Sequence, residues 1–194
     1  QAVIQEACKE KTERDRRRGI INRPVRAMVV GIPNVGKSTF INSFAGRACA
    51  KTGNRPGVTK GAQWIRLNKQ VELLDTPGIL WPKFDDQQVG LRLAMLGSVN
   101  DEILNLEELA CELGEFLEKN FPKAMERYHI VPEEGRRKEE ILALVAKERG
   151  CLAKGGEADT ARAAGLLLDD FRSGRLGRIT LEFPEPEKEV QHGE

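Results

Sequence analysis

Residues 31–38 read Gly31-Ile32-Pro33-Asn34-Val35-Gly36-Lys37-Ser38, the pattern G-x-x-x-x-G-K-S. Such a loop belongs between a strand and a helix, and both neighbours are legible in the sequence. Val25 to Val30 is a short β-branched run, and Thr39 to Ala45 carries a helical pattern. Gly31 and Gly36 let the backbone curl so that successive N–H groups face an anion. The helix that follows aims the positive end of its dipole at the same spot. Phosphate is therefore expected at Asn34, Val35, Gly36, Lys37, Ser38 and Thr39, with Lys37 reaching the β- and γ-phosphoryl oxygens and the Ser38 hydroxyl on Mg2+. The implied ligand is a nucleoside triphosphate. A chance glycine-rich turn would lack this setting.

Two further motifs follow within 50 residues. Asp75-Thr76-Pro77-Gly78 closes the apolar run Val71-Glu72-Leu73-Leu74. An aspartate at the carboxyl end of a buried strand suits a Walker-B role, holding Mg2+ beside the loop. Gly78 supplies a backbone N–H that can approach the γ-phosphate with no Cβ in the way. Between the motifs lies Arg55-Pro56-Gly57-Val58-Thr59, and Thr59 is the expected switch ligand, on Mg2+ when the γ-phosphate is present and released afterwards. Lys37, Thr59 and Gly78 are thus the candidate catalytic residues, and Ser38, Thr59 and Asp75 the candidate Mg2+ set. Ala62 to Leu67 and Val71 to Leu74, joined by Asn68-Lys69, read as a β-hairpin. The expected fold class is α/β: part of a phosphate-loop GTPase sheet with helices, followed by a small all-α domain.

A GTPase ordinarily reads guanine with an N-K-x-D motif downstream of D-T-P-G. No N-K-x-D follows here, and Pro82-Lys83-Phe84-Asp85 lacks the Asn. Nothing after Gly78 alternates strand and helix, and three strands are few for a nucleotide-binding sheet. Either the chain is a fragment or the base-reading half precedes Gln1.

The chain resembles the circularly permuted GTPases of the YlqF type. The resemblance rests on the phosphate loop through Thr39, on Arg55 to Thr59, on Leu73-Leu74-Asp75-Thr76-Pro77-Gly78-Ile79-Leu80-Trp81-Pro82 and on Val89-Gly90-Leu91-Arg92-Leu93-Ala94. Arg149-Gly150-Cys151-Leu152 with Gly155-Gly156 adds a match to the family's carboxyl-terminal domain, so the likeness runs from about residue 20 to about 183. In that family the base-reading half comes first, which implies guanine as the base and GTP/GDP as the ligands. It also implies a hydrolysing switch that acts on the assembling large ribosomal subunit and its rRNA. The implied location is the cytoplasm, with the mitochondrial matrix as the alternative, and the implied state is a monomer.

Overall charge is +1, but the halves differ. Residues 1–100 hold 17 Lys/Arg against 8 Asp/Glu, a net of +9, whereas residues 101–194 hold 14 against 22, a net of −8. Lys9 to Arg26 is densest, with eight basic and three acidic residues. That stretch suits either a solvated helix face with i,i+4 pairs or a phosphate-contact surface for structured RNA; the resemblance favours RNA. Cys8, Cys49, Cys111 and Cys151 form no C-x-x-C pair, so free thiols in a reducing compartment are expected. No 18-residue apolar run or signal-like start indicates a membrane partner.

The expected organisation is a basic linker helix over 1–22, the phosphate and switch half of a permuted G domain over 23–100, a helical RNA-binding domain over 101–183 and a disordered tail over 184–194. Three helical stripes carry the helical domain. The first is Leu106, Leu109, Ala110, Leu113, Phe116 and Leu117, stopping near Pro122. The second is Ile141, Leu142, Leu144 and Val145, ended by Gly150. The third opens at Asp159-Thr160, turns Ala164, Leu167, Leu168 and Phe171 inward and ends at Gly174. Arg162, Arg172, Arg175 and Arg178 are candidate RNA contacts.

Ile79 stands where many GTPases place a water-orienting Gln, and His129 and His192 lie far from the motifs. Hydrolysis is therefore expected to be slow alone and faster with a ribosomal partner or a cation. The Asn34 carboxamide is a candidate K+ ligand, as in related GTPases with this loop; the other reading is an Asn that only stabilises the loop. Two alternatives use the same residues: a phosphate-loop ATPase or a GTPase with a non-ribosomal RNA partner, and an RNA-binding module with a vestigial nucleotide site.

Overall fold

The computed structural model describes residues 2–21, 23–53, 57–81 and 83–184 and divides into two compact units, Gln1–Leu104 and Asn105–Glu194. In the first, β1 (Val25–Val29) pairs in parallel with β3 (Val71–Asp75), and β2 (Gln63–Arg66) pairs antiparallel with β3, giving the order β1-β3-β2. The β2–β3 hairpin forms because Asn68 turns its own chain: its Oδ1 accepts from the Gln70 N–H at 2.7 Å and the Val71 N–H at 2.9 Å. Alternation then sorts the two faces. Val71, Leu73 and Ile65 are buried with Ile41 of α3 (Lys37–Ala45), while Met28 of β1 and Trp64 of β2 are exposed. Arg26 lies 4.7 Å over the Trp64 ring and 3.1 Å from the Glu72 carboxylate on the outer face.

The amino-terminal basic stretch is two short helices rather than one. α1 (Ala2–Ala7) and α2 (Lys9–Arg17) break at Cys8, and Ile4 packs on the margin of the sheet core. An anchored Ile4 fixes α1 against the sheet, whereas α2 buries no residue. After the Asp75 motif, α4 (Gln87–Met95) starts at Asp86, whose side chain accepts from the Gln88 N–H.

In the second unit α5 (Leu106–Asn120), α7 (Lys138–Glu148) and α8 (Thr160–Arg172) pack together, with the short α6 (Pro122–Met125) following α5. Each long helix buries most of the apolar stripe read from the sequence, including Leu113, Val145 and Leu167 at 0% exposure, while Leu106, Phe116 and Leu144 are half-buried. Gly114 lets α5 and α7 approach, since a Cβ there would meet Ile141 Cγ2 at 3.0 Å. Asn105 and Asp159 cap α5 and α8, and Gly150 and Gly174 follow α7 and α8 in left-handed conformations. All four cysteines are free thiols. His129 is exposed, 3.2 Å from the Glu148 carboxylate. His192 and the tail from 185 to 194 lie outside the described residues.

Candidate functional site

The phosphate loop leaves β1 after Val29 and enters α3 at Lys37, two residues earlier than the sequence pattern suggested. The start moves because Gly36, at φ +84°, takes the left-handed conformation and serves as the N-cap itself. Asn34 also sits at positive φ, +64°, which a residue with a Cβ adopts only when its surroundings hold it. Two contacts do so. The Asn34 amide nitrogen donates to the Gly97 carbonyl at 3.2 Å, and the buried Ser98 hydroxyl donates to the Pro33 carbonyl at 2.8 Å.

Lys37 lies folded over the loop, its Nζ donating to the Ile32 carbonyl at 2.7 Å. Burial pushes the ammonium's pKa down, and the Asp75 carboxylate opposes that shift. Asp75 itself ends β3 with 0% exposure, and neither of its oxygens finds a hydrogen-bond partner among the described residues. The Ser38 and Thr59 hydroxyl oxygens stand 3.4 Å apart. Thr76 ties the two strand ends together, its hydroxyl donating to the Val29 carbonyl at 2.7 Å.

Gly78 packs against the loop more tightly than its motif suggested. A Cβ there would fall 2.4 Å from both the N and the Cα of Pro33, so the D-T-P-G turn and the phosphate loop touch backbone to backbone.

These segments enclose a cleft of about 290 Å³. Of the candidate residues, Asn34, Gly36, Lys37, Ser38, Thr39, Thr59 and Gly78 line it. Val35, a half-exposed residue, and the buried Asp75 are not on the lining. Ile79 is exposed. Arg55, Pro56 and Pro82 lie outside the described residues. The sequence reading missed Lys51, Thr52 and Gly53 on the cleft wall, and missed the Gly97-Ser98 clamp entirely. Proximity to Thr59 was the one available signal for the former; the latter had none.

The family model described as 50S ribosome-binding GTPase matches residues 26–145, the range that holds the loop, Thr59, Asp75 and Gly78. The chain belongs to the 50S ribosome-binding GTPase family. Within it the chain is of the YlqF type. It is 49% identical over 187 residues to the ribosome biogenesis GTPase A of Bacillus cereus, covering 95% of this chain and 62% of the relative. A GDP-bound YlqF structure aligns with TM-score 0.56 at 30% identity, over 88% of this chain and 65% of that one. The GNP-bound YlqF of T. maritima aligns with TM-score 0.54 at 31% identity, over 83% and 60%. The chain thus spans under two thirds of the length of these relatives. The range matched by the family model continues past the first compact unit into α7.

Proposed function

We propose that this chain carries the phosphate-binding and switch residues of a GTP-hydrolysing assembly factor for the large ribosomal subunit. The observation that carries the reading is the buried, unpartnered Asp75 carboxylate combined with a cleft that gathers Lys37, Ser38, Thr59 and Gly78. A buried carboxylate without hydrogen bonds is costly unless a cation or donor satisfies it. Hydroxyl and carboxylate oxygens suit a hard divalent cation, so Ser38, Thr59 and Asp75 fit Mg2+. Bound there, Mg2+ would neutralise charge on the β- and γ-phosphoryl oxygens.

The remaining work falls to the chain itself. Backbone N–H groups of residues 34–39 bind the phosphates, Lys37 exchanges the Ile32 carbonyl for phosphoryl oxygens, and Gly78 holds the D-T-P-G turn against the loop. Thr59 answers to the γ-phosphate. Asn34 is assigned to hold K+ through its carboxamide oxygen as well as to anchor the loop through its nitrogen. Ile79 cannot orient water, so turnover depends on the ribosomal partner. Guanine and the circular permutation come with the YlqF kinship, and the location proposed is the cytoplasm, as a monomer. The helical unit is assigned to rRNA contact.

The test uses the full-length protein and a fluorescent GTP analogue with Mg2+. Lys37→Ala should weaken binding about a hundredfold or more, since a lost charge-assisted phosphate contact in a closed site is worth about 3 kcal/mol. ATP should fail to compete. Micromolar GTP binding retained by the Lys37 variant contradicts the site, and effective competition by ATP contradicts the base.

A further inference from the structure

Asp170 on α8 is a carboxylate with 0% exposure that gathers more positive charge than it can neutralise. Arg127 Nε donates to it at 2.9 Å, Arg149 Nη2 at 2.7 Å, Arg175 Nη1 at 2.5 Å and the Tyr128 hydroxyl at 3.0 Å. The three arginines come from three places: the 3-10 turn Glu126–Tyr128, the residue after α7 and the turn after α8. Burial pushes the Asp170 carboxyl up, but the hydrogen bonds from Arg127, Arg149, Arg175 and Tyr128 outweigh it and hold it well below the ordinary carboxylate range.

One guanidinium would satisfy this carboxylate's charge. Three leave a local surplus of two positive charges in a half of the chain whose net charge is −8. They are also not sealed in. The side chains of Arg127, Arg149 and Arg175 are 36%, 32% and 53% exposed, against 1% for Asp170. Each therefore spends donors on the carboxylate from below and presents the rest to solvent. Arg149 is further fixed 5.3 Å over the Tyr128 ring. Of the acids next to these residues in sequence, Glu126, Glu148 and Asp169, Glu148 lies 3.2 Å from His129.

Close in sequence to Arg127 and Arg175, residues 120–124 together with Leu176, Arg178 and Ile179 line a separate groove that carries two more cations, Lys123 and Arg178. Planar, pre-oriented guanidiniums match phosphodiester oxygens in geometry as well as in charge, and holding them in place beforehand reduces the entropy lost on binding.

We infer that Asp170 is a positioning residue that fixes Arg127, Arg149 and Arg175 as a phosphate-contact surface for the sugar–phosphate backbone of a structured RNA, an inference that rests on the ribosomal reading above. It goes further than the sequence expectation, which selected Arg162, Arg172, Arg175 and Arg178 and did not include Arg127 or Arg149.

The experiment measures affinity of the full-length protein for protein-free large-subunit rRNA and for intact large subunits across a KCl series. Arg175→Gln and Arg127→Gln, checked for unchanged far-UV dichroism and GTP binding, should each weaken rRNA binding several-fold and lower the slope of log K against log salt by about one. Asp170→Asn is the discriminating variant. It removes a negative charge, so a simple charge effect would tighten binding; loss of the positioned arginines weakens it, with Asp170→Glu restoring part of the affinity. Wild-type rRNA binding with unchanged slopes in the arginine variants, or tighter binding by the folded Asn variant, overturns the inference alone. Variants that lose affinity for subunits but not for naked rRNA would assign the surface to an acidic protein and also overturn it. A wild-type protein that binds neither target overturns the ribosomal reading itself.

Discussion

At the scale of the residue, the contact between Gly78 and Pro33 sets the tightest constraint in the candidate nucleotide site. A methyl group at Gly78 would sit 2.4 Å from loop backbone, where no side-chain rotation can relieve it. Gly78→Ala should therefore push the D-T-P-G turn off the phosphate loop, lowering stability by about 1–3 kcal/mol in the manner of an overpacked core. Urea unfolding together with GTP titration would check this: the midpoint should fall and the affinity should drop with it. The sequence gives a different reason for a glycine here, close approach to the γ-phosphate, because the neighbouring loop is 45 positions away and leaves no local trace.

At the scale of the element, the wall from Lys51 to Thr59 has few apolar anchors, with Val58 half-buried and Lys51 to Gly53 exposed. Segments with little buried surface open easily, so hydrogen exchange from Lys51 to Lys60 should slow when a non-hydrolysable GTP analogue is bound and remain fast with GDP. Equal protection in both states would argue against Thr59 as a switch. The ends of α7 and α8 carry a second prediction. Asp170 titrates lower in the fold than unfolded, so the stability its network contributes is fully present above about pH 4, the unfolded carboxylate value, and is lost as pH falls below it. The stability gap between wild type and Asp170→Asn should shrink between pH 5 and pH 3, as read from urea midpoints. Much of this architecture was legible. A β-branched run announced β1, apolar runs on either side of Asn68-Lys69 the hairpin, and helical stripes α5, α7 and α8, because burial on one face leaves a period in the sequence; the short α6 was not read. The Asn34–Gly97 and Ser98–Pro33 contacts were not, since partners 63 and 65 residues apart write no pattern. Asp170 was equally silent beside Asp169; only the fold brings Arg127 and Arg149 to it.

At the scale of the whole molecule, the proposed activity needs something the described residues do not supply. In the proposed reading Lys37, Ser38, Thr59 and Asp75 serve phosphate and Mg2+, whereas the position after Gly78 holds an exposed isoleucine with no donor or acceptor on its side chain. A partner that orients water or adds charge could lower the barrier by about 3 kcal/mol, which is roughly a hundredfold in rate. The positive first hundred residues, with a net of +9, favour a polyanion as that partner. The direct measurement is steady-state GTP turnover by the full-length protein with and without purified large ribosomal subunits, in KCl and in NaCl. Turnover should be slow alone, rise about a hundredfold with subunits and rise more in KCl, in line with Asn34 holding K+. Fast turnover that large subunits leave unchanged would contradict the account.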